Sequence, residues 1–307
     1  MKQDIEFKSK GMTCRGWLVT PDAGKLPFPC VVMAMGATYV KEFPIIKEHM
    51  EEFKRRGLAS IVFDYRCFGA SEGLPRQHLD PQEQVEDCRN AISLAETLPD
   101  LDPERLGFWG ISSGGGYAFT VPALDSRVTC STAVLPMVDG YACQRLIRSE
   151  VDFRKLSEVI LEERRKRFKD DTQRGYVAMF SSGGEKELAG FPLASNYEVF
   201  MDYKKVAPAW ENRRTIESLE CYLNYNVWPY LPRILSIPLL AIVIEGDTNT
   251  PWNLAIEAYN RVPSPHKSIF LVPSHCGKVT HMSVYSDPSH MQMIAKAAGD
   301  FFAEHLI

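Results

Sequence analysis

Gly110, Ser112 and Gly114 stand two residues apart in Trp109-Gly110-Ile111-Ser112-Ser113-Gly114-Gly115-Gly116. This G-x-S-x-G spacing is what a nucleophilic serine needs at a sharp strand-to-helix turn. The turn forces the serine into strained backbone geometry, so its flanking residues must lack bulk for the chain to close. The hydroxyl then stands clear of the strand. The N–H of Ser113 and the N-terminus of the next helix converge where a tetrahedral oxyanion would form. The chemistry implied is attack on an acyl carbon through a covalent acyl-serine. Glycine-rich strand–helix turns also bind phosphate, and a serine there can simply cap a helix, so the surrounding chain must decide.

A nucleophilic serine needs a base, and the base an acid to orient it, in the chain order Ser, Asp, His. Asp247 follows the apolar run Leu239–Ile244, where such an acid belongs. The same residue could instead cap the helix after Pro251, and Glu245 and Asp139 are weaker alternatives for the acid. Two histidines compete for the base: His275, 28 residues beyond Asp247 (275 − 247), and His281, 34 beyond it (281 − 247). The spacing of His281 to the C-terminal helix favours it. His49, His78, His266, His290 and His305 read as surface or helix residues. The oxyanion hole would combine the N–H of Ser113 with one from the Met35-Gly36-Ala37 turn, Ala37 being the natural donor.

The elements that must hold these groups follow from periodicity. Residues 4–8 and 12–20 read as an antiparallel pair about Lys10-Gly11. Continuous apolar runs at 30–35, 59–63, 105–109, 128–135 and 239–244 suit strands buried on both faces. Helical spacing covers 43–56, stopped by Gly57, and 81–97, begun at Asp80-Pro81. A helix starts at Ser113, and the chain closes with a helix at 252–261, a strand at 267–272 and a helix at 288–305. Strands alternating with helices predict βαβ crossovers and a mostly parallel sheet. The rhythm breaks between 137 and 232, a largely helical, aromatic-rich stretch. It reads as a helical cap inserted over the sheet's C-terminal edge. Residues 1–136 and 233–307 would form the core.

The 307 residues suffice for one large α/β domain with such an insertion. Hydrophobic content of 45% and charged content of 24% are those of a soluble globular chain. A net charge of −4 gives no reason to expect nucleic acid or an anionic membrane as partner. Eight scattered cysteines without a C-x-x-C pattern read as reduced thiols. The polar N-terminus and the lack of any long apolar run point to a cytoplasmic protein. No H-E-x-x-H or Walker pattern occurs, so neither metal nor cofactor is expected.

With these residues in view, the chain resembles α/β-hydrolases with a helical cap. Several stretches resemble a narrower group within them: Asp64-Tyr65-Arg66, Phe68–Gly73, Asp80-Pro81, the serine turn, Asp247-Thr248 with Pro251, and Thr280-His281-Met282-Ser283-Val284-Tyr285. That group holds hydrolases related to dienelactone hydrolase and the X-Pro dipeptidyl-peptidase family, together with fungal polyketide transferases and thiohydrolases. The resemblance supports His281 as base, because it matches the group's Thr-His-Met-Ser-x-Tyr stretch. It implies a serine acyl hydrolase or acyltransferase taking a polyketide or other apolar chain from a carrier-protein thioester. The outcome would be hydrolysis, transfer or lactonisation. The rivals are a general carboxylesterase or amidase and a non-catalytic binding scaffold. Family members commonly carry His-Gly where this chain has Met35-Gly36, and glycine where it has Cys67. A polyketide synthase carrier protein would be the partner, and the aromatic cap also offers a surface for a homodimer.

Overall fold

A strand flanked by parallel neighbours and covered by helices on both faces has no solvent side, so its sequence is nearly all apolar. β3 (Phe28–Ala34), β4 (Ala59–Phe63) and β10 (Leu239–Ile244) meet that demand, with every residue buried. The computed structural model describes residues 1–183 and 187–307. These three strands join β1 (Lys2–Ser9), β2 (Met12–Val19), β5 (Leu101–Ile111), β6 (Val128–Val134) and β11 (Lys267–Val272) in one sheet, here taken with β10 in chain order. The strand order is β1-β2-β4-β3-β5-β6-β10-β11. β1, β2 and β4 pair antiparallel; the remaining neighbours are parallel. This is the mostly parallel α/β sheet that the alternating pattern predicts.

The helices fall into two groups around the sheet. α1 (Pro44–Arg55) packs with α10 (Pro288–Leu306), and α2 (Pro81–Thr97) packs with α3 (Ser113–Leu124). Asp80 caps α2 through Gln82 N, 2.8 Å away, with Pro81 at the first helical position.

Between β6 and β10 run α4 (Gly140–Leu146), α5 (Glu150–Lys169), α6 (Ala194–Val206) and α7 (Glu217–Leu223). The same segment also holds β7 (Tyr176–Phe180), β8 (Ala189–Phe191) and β9 (Arg214–Thr215), joined as a three-stranded sheet β8-β7-β9. The stretch read as largely helical therefore also carries three short strands. Strands of two to five residues are too short to display a period of two, so sequence patterning cannot reveal them. Aromatic contacts bind the insertion to the core. Phe180 stacks on Phe200 at 4.1 Å, and Phe200 and Tyr203 meet Tyr39 and Phe43 of the core at 4.9–5.8 Å.

Six of the eight cysteines are buried, Cys221 is half-buried and Cys276 is exposed, all as free thiols. Among the described residues no helix is long and apolar enough to cross a membrane.

His49 lies inside the sheet–α1 interface, wholly buried against Trp109 at 4.5 Å. Its Nδ1 donates to the Ile45 carbonyl at 2.8 Å, while Nε2 has no partner among the described residues. Burial pulls the imidazole down to about 4. The unfolded chain therefore takes up a proton near pH 6.5 that the folded chain refuses until about pH 4. Stability from this group is complete above pH 6.5 and drains as pH falls toward 4, by on the order of 2–3 kcal/mol. Chemical denaturation from pH 7 to 4 is expected to show a shallower loss in His49→Phe than in the natural chain. Equal slopes in the two proteins would rule out this linkage.

Candidate active site

β5 runs into α3 through Ser112, which adopts φ 56° and ψ −115°. A side chain in that left-handed region is strained, and the surrounding bonds hold it there. Ser112 N donates to the Val134 carbonyl at 2.9 Å, and Ser112 O accepts from Met137 N at 2.9 Å and Gly116 N at 3.2 Å. The glycines serve close approach. A methyl carbon on Gly110 would overlap the carbonyl oxygen of Gly114. One on Gly114 would lie 2.6 Å from the Met35 carbonyl oxygen, and one on Gly115 2.6 Å from that of Val134. Absence of side chains lets α3 start directly over the ends of β3, β5 and β6.

Asp247 sits in the turn between β10 and α8 (Trp252–Arg261) and is 5% exposed. Its two carboxylate oxygens do different work. Oδ1 accepts from the backbone N–H of Asn249 at 2.8 Å and Thr250 at 3.2 Å, which closes the turn. Oδ2 accepts from His281 Nδ1 at 2.7 Å and from the Thr250 hydroxyl at 3.0 Å. Asp247 thus closes its own turn and meets His281, but it does not cap the following helix: α8 starts after Pro251 with no side-chain cap. His281 is buried, and its ring lies nearly parallel to Tyr285 at 5.5 Å. Thr250 and Asn249 were not singled out in the sequence, although the Asp-x-Asn-Thr-Pro run is a turn signal. The competing groups lie elsewhere. His275 is exposed at φ 47°. Glu245 accepts from Ser274 N at 3.2 Å. Asp139 caps α4 through Ala142 N at 2.9 Å and accepts from Trp228 Nε1 at 3.0 Å.

Ser112 and His281 line one pocket with Ala37, Tyr39, Met179, Phe180, Phe191, Asn196, Phe200, Asn249 and Met282. Its free volume is about 20 Å³, room for a water molecule, and its walls are mostly aromatic and thioether. Five of the wall residues come from the inserted segment: Met179, Phe180, Phe191, Asn196 and Phe200. Nothing in their local sequence marks them as wall rather than core.

The turn that carries Ala37 is braced without the usual histidine. Tyr65 donates its hydroxyl to the Met35 carbonyl at 3.2 Å. Neighbouring Asp64 is wholly buried and takes Lys41 Nζ at 2.6 Å, Lys41 N at 2.9 Å and Ala70 N at 2.9 Å. Arg66 is tied to Asp87 at 2.5 and 2.9 Å. The Asp64-Tyr65-Arg66 stretch is therefore scaffolding for the Met35–Ala37 turn at the pocket. Cys67 follows it at φ 69°, the left-handed conformation that glycine favours. Burial pushes its thiol up to about 11, which favours the neutral form of a packed sulfur.

One trio could offer ligands to a metal: His78, Asp80 and Cys221 bring donor atoms within 4.8 Å of one another. Asp80 is already engaged in capping α2 and His78 Nδ1 contacts Thr215 Oγ1 at 3.0 Å. None of the three lines the Ser112 pocket.

The profile of the X-Pro dipeptidyl-peptidase family (S15) matches residues 17–277. A thiohydrolase from Eupenicillium brefeldianum is 27% identical over 270 residues, covering 86% of this chain and 83% of its own. A polyketide transferase from Penicillium sp is 23% identical, covering 86% of this chain and 85% of its own. The crystal structure of the alpha/beta hydrolase GrgF from Penicillium sp. sh18 superposes with a TM-score of 0.82 at 21% identity. That match covers 100% of this chain and 99% of the other, and it shows the α/β-hydrolase fold.

The close approach at the serine turn has a measurable consequence. Gly110→Ala must force β5 and α3 apart, which costs about 1–3 kcal/mol or more. It should also displace Ser112 enough to lower its reactivity ~100-fold. Thermal unfolding and fluorophosphonate labelling of the variant measure both, and an unperturbed melting temperature would contradict the packing described.

Proposed function

We propose that this chain, which belongs to the X-Pro dipeptidyl-peptidase (S15) family, is a serine acyl hydrolase or acyltransferase that removes an apolar acyl chain from a thioester. Hydrolysis and acyl transfer are the activities that the names of its thiohydrolase and polyketide transferase relatives describe. The observation that carries the reading is His281, which lines one aromatic-walled pocket with Ser112 and is held at its Nδ1 by Asp247, 2.7 Å away.

In this scheme His281 Nε2 takes the proton of Ser112 Oγ as the oxygen attacks the thioester carbon. Asp247 Oδ2 fixes the ring with its proton on Nδ1 and stabilises the imidazolium. The oxyanion receives the N–H groups of Ser113 and Ala37, aided by the N-terminus of α3. Collapse breaks the C–S bond, and His281 returns the proton to the leaving thiolate. An O–H acceptor then attacks acyl-Ser112, giving its proton to His281, which passes it to Ser112 Oγ. Water as acceptor releases an acid, a second molecule's hydroxyl gives transfer, and the chain's own hydroxyl gives a lactone.

The pocket favours an acyl chain over a dipeptide. Peptide substrates carry an ammonium group that needs a carboxylate partner, and among the described residues none lines the pocket wall. A carrier protein presenting the chain on a phosphopantetheine arm would suit a site reached only when the aromatic wall parts. Small free esters would use few of those contacts.

Two measurements test this. Intact-mass spectrometry after fluorophosphonate treatment should give one adduct, absent from Ser112→Ala. Labelling should slow by ~10³-fold or more in His281→Ala and Asp247→Asn, and stay within about twofold in His275→Ala. Pantetheine thioesters of graded length should then show kcat/KM rising with chain length and exceeding that for p-nitrophenyl acetate. Faster turnover of the acetate would favour a general carboxylesterase, and an unlabelled folded protein would favour a binding scaffold.

A further inference from the structure

Arg214, in β9, is wholly buried, and among the described residues nothing accepts a hydrogen bond from its Nε, Nη1 or Nη2. A guanidinium carries five N–H donors and a standing charge, so this is among the least favourable burials an interior can hold. Among the described residues the groups acting on it are Tyr222, Cys221 and a second arginine, Arg148, with no carboxylate among them. Burial, with Arg148 adding to it, draws Arg214 down to about 9, and burial draws Arg148 to about 10. Both remain cations at neutral pH.

The surroundings are shaped to admit this group. Arg214 lies over the Tyr222 ring at 5.5 Å. It presses against Gly190, where a methyl carbon would stand 2.8 Å from both Nε and Nη2. Arg148 donates to Gln144 Oε1 and to the Ala189 and Gly190 carbonyls, all neutral acceptors. Both guanidinium groups therefore lean on β8. The next residue of that strand, Phe191, lines the Ser112 pocket and meets Tyr222 edge-on at 6.1 Å. On the outer side Arg148, but not Arg214, lines a cleft of about 280 Å³ that also holds Lys155 and the carboxylates of Asp152, Glu158 and Glu187, Asp152 being the one that acts on Arg148.

We propose that Arg148 and Arg214 form an anion subsite behind β8 that holds an oxyanion group, carboxylate or phosphate, borne by the substrate of Ser112. The inference rests on the acyl-transfer reading above and narrows its substrate class. The oxyanion is either a carboxylate on the acyl chain or the phosphate of a pantetheine arm. A planar guanidinium fork binds either group through two parallel hydrogen bonds.

The first test does not need turnover. Melting temperature is followed with adipate, with inorganic phosphate and with neutral adipamide. Adipate or phosphate should raise it by about 2–3 °C at ~10 times Kd, adipamide should not, and the rise should vanish in Arg214→Met. Arg148→Gln should weaken the same response, which keeps the test open if Arg214→Met does not fold. No anion-specific rise, or an equal rise in the variants, overturns the subsite. The second test identifies the source. A chain ending in carboxylate, compared with one ending in methyl, should gain about 10- to 100-fold in kcat/KM if the chain supplies the anion. A phosphopantetheine thioester, compared with its pantetheine counterpart, should gain as much if the arm does. Neither gain, with Ser112 labelled normally, sinks the inference while leaving the acyl-transfer reading intact. Failure of Ser112 labelling sinks that reading, and the thermal response still decides whether the subsite exists.

Discussion

At Gly110 the end of a strand and the start of a helix pass so closely that no side chain fits between them. Most of the site's geometry depends on that steric constraint. It sets Ser112 at φ 56°, aims the first N–H groups of α3 at the place above the sheet, and locks the turn through bonds to Val134 and Met137. Strain of this kind persists only where neighbours over-determine it. The supply of neighbours here is large, because β3, nearly all of β6 and the second half of β5, Leu106–Ile111, are buried.

Around that fixed point, the remaining groups are held by elements of different character. Asp247 is anchored by its own turn, so the carboxylate that orients His281 is set before His281 arrives. The Ala37 side of the pocket rests on a buried polar lattice, Lys41–Asp64 and Arg66–Asp87, which ties one loop to the sheet. The inserted segment contributes mostly flat apolar rings, whose contacts are numerous and individually weak. Ser112 and Asp247 thus sit on rigid strands and tight turns, while the wall of the pocket above Ser112 is made largely of ring packing.

Much of this was legible in the sequence, for physical reasons. Buried strands advertise themselves by continuous apolar runs, and α1, α2 and α10 by helical spacing and proline starts. Ser112 could be read because its turn allows only glycine two residues to either side, and Asp247 because an acid after a buried strand has few other uses. The inserted segment was less readable. β7, β8 and β9 owe their existence to pairing across the fold, and short strands leave no local periodicity. Arg214 was invisible as well: Arg213-Arg214 looks like any solvated pair, and only tertiary packing buries the second of them wholly while leaving the first exposed.

The distribution of sulfur gives the molecule an uneven chemical durability. Six thiols are sealed within the core, where burial disfavours the thiolate that oxidants and electrophiles attack. Cys276 stands in the open, five residues before His281 (281 − 276), on the loop that leads to it. Oxidative ageing would therefore begin on the loop that leads to His281 and spare the scaffold. A protein aged in this way would keep its fold and its melting behaviour while the segment that delivers His281 acquires a new charge.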